Sequence, residues 1–318
     1  MVNEILVSVI CNTYNQEDYI RDALESFIMQ KTNFKFEVLV HDDASTDNTA
    51  NIIREYEQKY PEIIKPIYQT VNQYSQKIPI SLTYQIPRAK GKYLAACEGD
   101  DFWTDPYKLQ KQYDAMELHP DVDMCAHTAT KVDAITFQNI GEIKPSNEDI
   151  IFNTSDVIRG YGGFVATNSL MYKKELTSYV PNFRKFLPLD YSLQIHGSLK
   201  GGMLYLKDNM SSYRVNAKGS WTSNMHKDIN RLINHFNKVI QMLIILDEET
   251  DYKFSSAIEN VIREREFKIF EIQQNYKALL NKKYKQIYKG LTFKEKIKIR
   301  LKAYFPFLLK LKRKEYNE

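Results

Sequence analysis

Cysteine is scarce in this chain of 318 residues, which contains three of them. Cys11, Cys97 and Cys125 lie far apart, each within an apolar stretch that is typical of a buried strand. An odd set of widely spaced cysteines argues against the disulfide framework of a secreted protein. We therefore expect three reduced thiols in the core of a cytoplasmic protein.

Long hydrophobic runs are missing as well. The apolar stretch "VIQMLIIL" ends in "DEET", whereas a helix that spans a bilayer needs roughly 20 apolar residues. The first residues lack the basic leader and the small-residue cleavage site of a signal peptide. Internal repeats and low-complexity segments are absent too. These absences predict a globular protein with neither a membrane span nor a secretion signal.

Charge is unevenly distributed along the chain, although the net charge is only +4. Residues 282–318 contain 13 Lys and Arg against three Asp and Glu, which leaves a net charge of −6 for the rest. A basic tail on an acidic body indicates a polyanionic partner, either a membrane surface or nucleic acid. Since no nucleic-acid motif accompanies the tail, we expect an anionic membrane surface and no nucleic acid.

Strand and helix patterns alternate over the first 133 residues. Strands are predicted in "ILVSVIC", "FEVLVH", "IIKPIYQ", "GKYLAACE" and "DVDMCAHTATKV", and helices in "NQEDYIRDALESFIMQ", "ANIIREYEQKY" and "PYKLQKQYDAMELH". Asn15 is predicted to cap the first of these helices. Such alternation is typical of an α/β fold with a mostly parallel sheet that helices cover on both faces.

The remainder of the chain is less regular. Residues 133–153 read as a polar loop, followed by a strand in "ATNSLMYKK", a helix from Tyr191 and two short strands, "GMLYL" and "SSYRV". Beyond Asp228 the apolar residues recur at helical spacing. We therefore expect two domains, residues 1–225 with the sheet and residues 226–318 as a helical extension with a basic amphipathic tail.

Three predicted strands run directly into polar residues: "VIC" into "NTYNQE", "LVH" into "DDAST" and "AAC" into "EGDD". In open α/β sheets, ligands bind beyond the carboxyl ends of the strands. Asp42 and Asp43 either close a turn and cap the following helix, or accept hydrogen bonds from a nucleobase or ribose. A phosphoacceptor module also begins with paired acids, but a second acidic cluster argues against that class.

The second cluster, "CEGDDFWTDP", places Glu98, Asp100 and Asp101 within four positions. Carboxylates so close together repel one another and raise each other's pKa unless a cation lies among them. Hard oxygen ligands suit Mg²⁺ or Mn²⁺, and a metal with few protein ligands leaves room for the phosphates of a substrate. Capping of the helix that opens at Pro106 explains Asp101 or Asp105 alone, so a metal–diphosphate site is the favoured interpretation.

The segments "VSVICNTYNQEDYIRDALESFIMQ", "FEVLVHDDASTDNT" and "EGDDFWTDPYKLQKQ" resemble the family 2 glycosyltransferases, which have the GT-A fold. The likeness is strongest to bacterial members that build surface polysaccharides such as capsule, and it covers about the first two thirds of the chain. It implies that Asp100 and Asp101 handle the ribose and the divalent cation, Mn²⁺ or Mg²⁺. It also implies a set of residues that bind the nucleotide sugar: Thr13, Tyr14, Asn15, Glu17, Asp42, Asp43, Glu98 and Asp100.

The same resemblance implies a general base on the acceptor side. "FLPLDYSLQIHGSLKGGMLYL" matches that region, with Asp190 as the base and Leu189 in place of the first acid of the usual pair. Judged from the residues alone, Asp190 caps the helix from Tyr191, a role that is compatible with catalysis. "SSYRVNAKGSWT" resembles the segment that closes over the donor diphosphate. The resemblance implies that Arg214 pairs with a phosphate and that Trp221 stacks on a sugar or lipid head group. The alternative is that Arg214 is an ordinary surface arginine and Trp221 a partly buried tryptophan.

Together these residues predict a metal-dependent, inverting hexosyltransferase. Its donor is a nucleotide diphosphate sugar, with uridine favoured by the habit of the family, and its acceptor is a lipid-linked or polysaccharide glycan. Apolar residues at helical spacing in the basic tail predict peripheral attachment to the inner face of the cell membrane. A tail that docks on the body or on a second copy of the chain is the alternative. For the whole protein, the alternative is a nucleotide-binding regulatory module without catalysis.

Overall fold

The structure is a computed structural model that describes residues 4–218 and 228–305. The chain divides into two compact units, Met1–Asn224 and Met225–Glu318. The described strands all lie in the first unit, and the described part of the second unit is helical.

The strands and helices of the N-terminal unit alternate through most of its length. The strands are β1 (Ile5–Thr13), β2 (Lys35–Asp42), β3 (Ile64–Tyr68), β4 (Tyr93–Ala96), β5 (Phe102–Trp103), β6 (Met124–Asp133), β7 (Asn139–Ile143), β8 (Ile150–Phe152), β9 (Met171–Lys173) and β10 (Met203–Val215). The α-helices are α1 (Ile20–Ile28), α2 (Thr49–Lys59), α3 (Lys108–Leu118), α4 (Thr154–Gly160), α5 (Asn182–Phe186) and α6 (Asp190–Ser198).

These strands form one mixed sheet in the order β3-β2-β1-β4-β9-β6-β10-β5, with β7 beside β6 and β8 beside β10. Pairing is parallel from β3 to β4 and between β6 and β10. Strands β5, β7, β8 and β9 pair antiparallel with their neighbours. The predicted α/β class with flanking helices is thus confirmed, and antiparallel strands are interleaved with the parallel ones beyond β4.

The core of this unit follows from the apolar pattern of the sequence. Val7, Val9 and Cys11 alternate along β1 and bury one face of the strand. Leu24 and Phe27 belong to the apolar face of α1 in the same cluster, and full burial of such side chains stabilises the fold by about 1.5–3 kcal/mol each. The three cysteines are buried and free, as the sequence predicts.

Local predictions are wrong at three places. Asn15 does not cap α1, which begins at Ile20; it has a left-handed φ of 51°, and its Oδ1 accepts a hydrogen bond from the Thr46 N–H at 2.8 Å. The segment 133–153 contains β7 and β8, whose side chains are mostly exposed and therefore lack an apolar signal. Strand β10 is continuous through a polar, exposed middle where two short strands are predicted.

The C-terminal unit is described from Asp228 to Phe305. Its helices are α7 (Ile229–Glu249), α8 (Ser255–Ile272), α9 (Lys285–Gly290) and α10 (Phe293–Tyr304). A small core holds the last helices together and consists of Phe267, Tyr276, Leu279, Tyr284 and Ile299. Over residues 4–218 and 228–305, no helix has both the length and the apolar character that a membrane span requires.

Candidate active site

The parallel register brings several polar segments to one edge of the sheet. Thr13, the last residue of β1, lies beside Asp42, the last residue of β2. Strand β4 runs parallel to β1 and ends at Ala96, so the acid loop, which we define as residues 98–101, begins at the same edge. The predicted convergence of three carboxyl ends is therefore found.

The paired acids after β2 differ in their surroundings. Both are buried, with 2% of each residue exposed. The carboxylate of Asp43 accepts hydrogen bonds from the backbone N–H groups of Gln73 at 2.7 Å and Tyr74 at 3.0 Å. Asp42 Oδ2 accepts a long bond from the Ser45 N–H at 3.3 Å, whereas Asp42 Oδ1 has no partner among the described residues. Burial raises the pKa of Asp42, so this pair supplies one anchored and one unsatisfied acceptor.

Neither Asp42 nor Asp43 caps α2, although capping is one of the roles considered for them. Asp47 Oδ1 accepts the Thr49 N–H at 3.0 Å at the start of that helix. Asp43 instead fixes the loop after β3, because its two amide partners lie there.

The segment after β1 has two kinds of residue. Asn15 and Glu17 accept hydrogen bonds from the backbone of the loop after β2, at Thr46 and Asn48 respectively. Tyr14 is 46% exposed at the same edge. Of the predicted nucleotide-binding residues here, Asn15 and Glu17 thus join two loops, and Tyr14 presents an accessible ring.

The acid loop is packed closely against the residues after β1. A Cβ atom on Gly99 would lie 2.5 Å from Gln16 Oε1 and 2.8 Å from Thr13 Cβ, so glycine is required there. Thr13 Oγ1 donates to Gln16 Oε1 at 2.7 Å, and the Gln16 side chain also hydrogen-bonds to Asp100. Gln16 lies within the quoted motif, but its contacts with the acid loop were not predicted from the sequence.

Asp101 and Asp105 have separate roles. Asp101 is 2% exposed, and its Oδ1 accepts the backbone N–H of Arg214 at 2.8 Å. Asp105 Oδ1 accepts the Tyr107 N–H at 2.8 Å and so serves the start of α3. The N-cap position of α3 is Tyr107, which Asp105 contacts and Asp101 does not, so the capping alternative for Asp101 is wrong.

Asp190 lies close to the acid loop although it is about 90 residues away in sequence. It is the first residue of α6 rather than its cap, which is Leu189, so the predicted capping role is wrong. Thr167 Oγ1 donates to Asp190 Oδ2 at 2.6 Å. Burial, followed by repulsion from Asp190 and Asp100, raises the pKa of Glu98 well above its ordinary value.

Repulsion between these acids is mutual, so they titrate together rather than singly. Burial raises the pKa of Asp190 and of Asp100 as well. The side chains of Glu98 and Asp190 remain accessible to water, yet protein surrounds them closely enough to disfavour their charge. Glu98 and Asp190 are therefore exposed carboxylates whose surroundings disfavour their charge.

Arg214 is not placed as a free phosphate ligand. Its side chain is 2% exposed and pairs with Asp22 of α1, and its Nη1 donates to the backbone oxygen of Asp100 at 2.8 Å. Asp22 was not predicted as part of the site. Trp221, the other residue predicted beside the donor diphosphate, lies outside the described residues.

A divalent cation is compatible with the donor set, but the protein alone does not enclose one. Within the described ranges, no group of three His, Cys, Asp or Glu side chains is placed to hold a metal. Mg²⁺ is commonly held by one or two carboxylates together with substrate phosphates. The repelling carboxylates around Asp100 fit that mode because a cation would relieve their repulsion.

A mixed α/β sheet with helices on its faces and acids at one carboxyl edge defines a protein of the GT-A type. The sequence model of the family described as "Glycosyl transferase family 2" matches residues 8–177. The chain therefore belongs to glycosyl transferase family 2, as the motifs predict.

The chain is also similar to individual proteins of known sequence or structure. An uncharacterised protein of Mycobacterium tuberculosis is 35% identical over 219 residues, which are 68% of this chain and 61% of that protein. This chain thus spans about six-tenths of that relative's length. The putative teichuronic acid biosynthesis glycosyltransferase TuaG of Bacillus subtilis is 36% identical over 111 residues, 35% of this chain and 42% of that protein. TarS of S. aureus in complex with UDP-GlcNAc has the same fold, with a TM-score of 0.61 at 16% identity, over 88% of this chain and 78% of that one.

Proposed function

We propose that the protein transfers a sugar from a nucleotide diphosphate sugar to a hydroxyl group of a glycan acceptor. The observation that carries this proposal is the position of Asp190, on α6, close enough to Glu98 of the acid loop for the two carboxylates to repel each other. A binding module has no need of a carboxylate from a separate helix in the same cleft. Catalysis is assigned to residues 1–225, and residues 226–318, which are helical over most of the described range 228–305, are assigned to a C-terminal extension.

The nucleoside is proposed to bind where β1 and β2 end. Asp42 Oδ1, buried and without a partner among the described residues, suits an N–H or O–H donor of a base or ribose. Tyr14 offers an accessible ring beside it, and Asp43 fixes the neighbouring loop. A uridine nucleotide is the favoured donor, and the UDP-GlcNAc bound by TarS supports it.

Mn²⁺ or Mg²⁺ is proposed to bind at Asp100, with Asp101 next to it in the loop. When bound, such an ion offsets the negative charge that develops on the departing nucleoside diphosphate. Asp101 orients the loop through its bond to the Arg214 N–H. Glu98 adds a further carboxylate, which strengthens the preference of the site for a cation.

Asp190 is proposed to act as the general base. A sugar hydroxyl is a weak nucleophile at neutral pH, so removal of its proton during attack contributes roughly 10²–10⁴ in rate. The hydrogen bond from Thr167 holds the carboxylate in place and favours its charged form. Attack from the face opposite the departing diphosphate inverts the anomeric centre.

A panel of nucleotide sugars with Mn²⁺ or Mg²⁺ tests this function directly. The wild type should release nucleoside diphosphate from one donor, and Asp190→Asn should lower transfer by about 10²–10⁴ while the donor still binds. Thr167→Val, which removes only the orienting hydroxyl, should have a smaller effect. Full transfer by Asp190→Asn would contradict the role of the base, and donor binding without turnover by the wild type would favour a regulatory module.

The acceptor is proposed to be a lipid-linked or polysaccharide glycan of the bacterial surface, which the name of TuaG supports. Helix α10 offers a means of reaching such an acceptor. Its Ile299 packs into the small core, while one outer stripe is exposed and apolar: Phe293, Ile297, Leu301 and Tyr304. Lys294 and Lys298 are exposed beside this stripe. We propose that α10 binds peripherally to the anionic inner face of the cell membrane.

Vesicle flotation of the full chain separates this proposal from its alternatives. Vesicles of phosphatidylcholine with phosphatidylglycerol should bind the wild type, and added salt should weaken binding. Leu301→Ser should reduce binding, whereas Leu118→Ser, which changes a leucine 78% exposed on α3, should not. Equal flotation of both variants would contradict a membrane role for α10, and a concentration-dependent change in mass would favour self-association.

A further inference from the structure

Arg214 contacts both aspartates of the acid loop from a strand that is distant in sequence. Its backbone N–H donates to Asp101 Oδ1 at 2.8 Å, and its Nη1 donates to the carbonyl oxygen of Asp100 at 2.8 Å. Its Nη2 pairs with the carboxylate of Asp22 on α1. One residue therefore joins the acid loop, β10 and α1.

Two aromatic rings restrict the guanidinium further. The guanidinium carbon lies 4.5 Å from the ring centre of Phe102 and 5.3 Å from that of Tyr19. A planar cation between rings and two oxygen acceptors has little freedom to turn, and an ammonium group does not reproduce that geometry. The Arg214 side chain is 2% exposed, whereas Asp22 is 54% exposed. The ion pair between Arg214 and Asp22 thus connects the buried side of the acid loop to the exposed surface of α1.

The position of Arg214 also has an electrostatic consequence. Glu98, Asp100 and Asp101 repel one another within one short loop, and such a loop is expected to spread apart unless it is fixed. Arg214 supplies a fixed positive charge and two hydrogen bonds on the protein side of the loop. These hydrogen bonds do not use the carboxylate of Asp100, which is partly exposed.

We propose that Arg214 is a positioning residue for the acid loop rather than a ligand of the donor phosphates, and that Asp22 acts through it. Asp22 holds the guanidinium from outside, and Arg214 in turn sets the place of Asp100 and Asp101. This inference rests on the proposed function, because it assigns to the loop the task of binding a divalent cation with a nucleoside diphosphate.

The test compares Arg214→Met, Arg214→Lys, Asp22→Asn and the double variant of Arg214→Met with Asp22→Asn. Mn²⁺ affinity is measured by calorimetry in the presence of UDP and, separately, GDP. Loss of a residue that orients a metal ligand typically costs 10–100-fold in affinity, which is the expected result for Arg214→Met. Arg214→Lys should restore little of it. Asp22→Asn should cause a smaller loss, and the double variant should match Arg214→Met because the two residues act in one chain of contacts.

Glu55→Gln is the matched control. It breaks the surface pair between Arg21 of α1 and Glu55 of α2, which are 2.9 Å apart, and should leave Mn²⁺ affinity unchanged. Hydrogen exchange of the Gly99 and Asp101 amides gives a second readout, since both are bonded within or beside the loop. Exchange should be faster in Arg214→Met and in Asp22→Asn, and unchanged in Glu55→Gln.

The outcomes separate this inference from the proposed function. Unchanged exchange and affinity in Asp22→Asn, together with a lower melting temperature alone in Arg214→Met, would overturn the positioning role. Additive losses in the double variant would overturn the dependence of Asp22 on Arg214. If the wild type binds neither nucleotide with Mn²⁺, the proposed donor class fails, and hydrogen exchange still decides whether Arg214 fixes the loop.

Discussion

Two pairs of neighbouring aspartates lie at the carboxyl edge of the sheet, one after β2 and one in the acid loop. In each pair one buried carboxylate accepts short hydrogen bonds from the backbone: Asp43 from two N–H groups and Asp101 from one. The other member, Asp42 or Asp100, is the one with capacity left for a ligand. A buried carboxylate with satisfied hydrogen bonds can thus hold its neighbour in place.

The pairs differ in where their anchors come from. Asp43 is held by amides 30 and 31 residues further along the chain, in the loop after β3. The anchor of Asp101 is Arg214, 113 residues away on β10. The first pair therefore depends on its own half of the sheet, whereas the second depends on correct closure of the sheet around β6 and β10. We expect the nucleoside end of the cleft to be the more robust of the two.

Of all the proposed variants, Asp43→Ala should lower the stability of the fold most. The substitution leaves the part-buried N–H groups of Gln73 and Tyr74 without their acceptor, and a fully buried orphaned group costs about 1–3 kcal/mol. We expect the free energy of unfolding to fall by roughly 2–4 kcal/mol in a urea titration. The matched change Asp42→Ala removes a carboxylate with one long bond and should cost clearly less. Equal losses would show that the two acids are not differently anchored.

Lys108 is a buried basic side chain, in contrast to the buried acids of the two pairs. Its side chain is fully buried, its Nζ lies 3.9 Å from the ring centre of Trp103 and has no hydrogen-bond partner in the described chain, and burial lowers its pKa to about 7. The unfolded chain binds this proton up to about pH 10.5, so between pH 7 and 10.5 stability rises with pH.

Lys108→Met removes this titration while keeping most of the side-chain volume. The stability of the wild type relative to the variant should rise by at most about 1.4 kcal/mol per pH unit above pH 7. Below pH 7 the difference should be constant and should favour the variant. Thermal unfolding of both proteins across this range measures it, and a difference that does not change with pH would show that the amine is charged in the fold throughout.

Sequence patterns predicted the parts of the fold that local physics determines. Apolar alternation placed β1, β2 and β4, and helical spacing placed α2 and α3, because each buries one face. The convergence of acids followed from parallel strands that end at a common edge. Capping was predicted less well, since Asn15 and Asp190 each have partners in other segments, Thr46 and Thr167, that draw them away from helix termini.

Contacts between distant segments were beyond the reach of sequence reasoning. Nothing in the residues around Asp22 indicates an ion pair with Arg214, which is 192 positions away. Likewise Gln16 reaches Asp100 only because Gly99 lets the acid loop approach it closely. Strands β7 and β8 are held by hydrogen bonds to β6 and β10 rather than by apolar burial, so their exposed side chains read as loop.

Asp42→Asn tests the member of the first pair that is proposed to bind the nucleoside. The amide keeps the shape of the side chain but offers a weaker acceptor, so affinity for UDP should fall about tenfold, the low end for a hydrogen bond to a charged group. Stability should stay the same or rise slightly, because burial already disfavours the charge of Asp42. Titration calorimetry with UDP checks this. Loss of stability without loss of affinity would place Asp42 with the anchoring acids instead.

Glu98→Gln tests the charge of the acid loop and should have the smallest effect on stability. Burial and repulsion from Asp190 and Asp100 raise the pKa of Glu98 above its ordinary value of 4.5. The folded state therefore holds this proton more tightly than the unfolded state. The contribution of Glu98 to stability is therefore fully present below pH 4.5 and is lost as pH rises through the raised pKa. The variant should melt slightly higher than the wild type at neutral pH and equally below pH 4.5, with a modest difference because water reaches the side chain.

The same substitution should shift the pH dependence of transfer. Asp190 must be ionised to act as a base, and removal of the Glu98 charge makes its ionisation easier, so the acidic limb of the rate profile should move to lower pH. Saturating Mn²⁺ should shrink this shift, since a bound cation already offsets the repulsion that Glu98 exerts. An acidic limb that does not move, with or without metal, would mean that the charge of Glu98 does not affect the ionisation of Asp190.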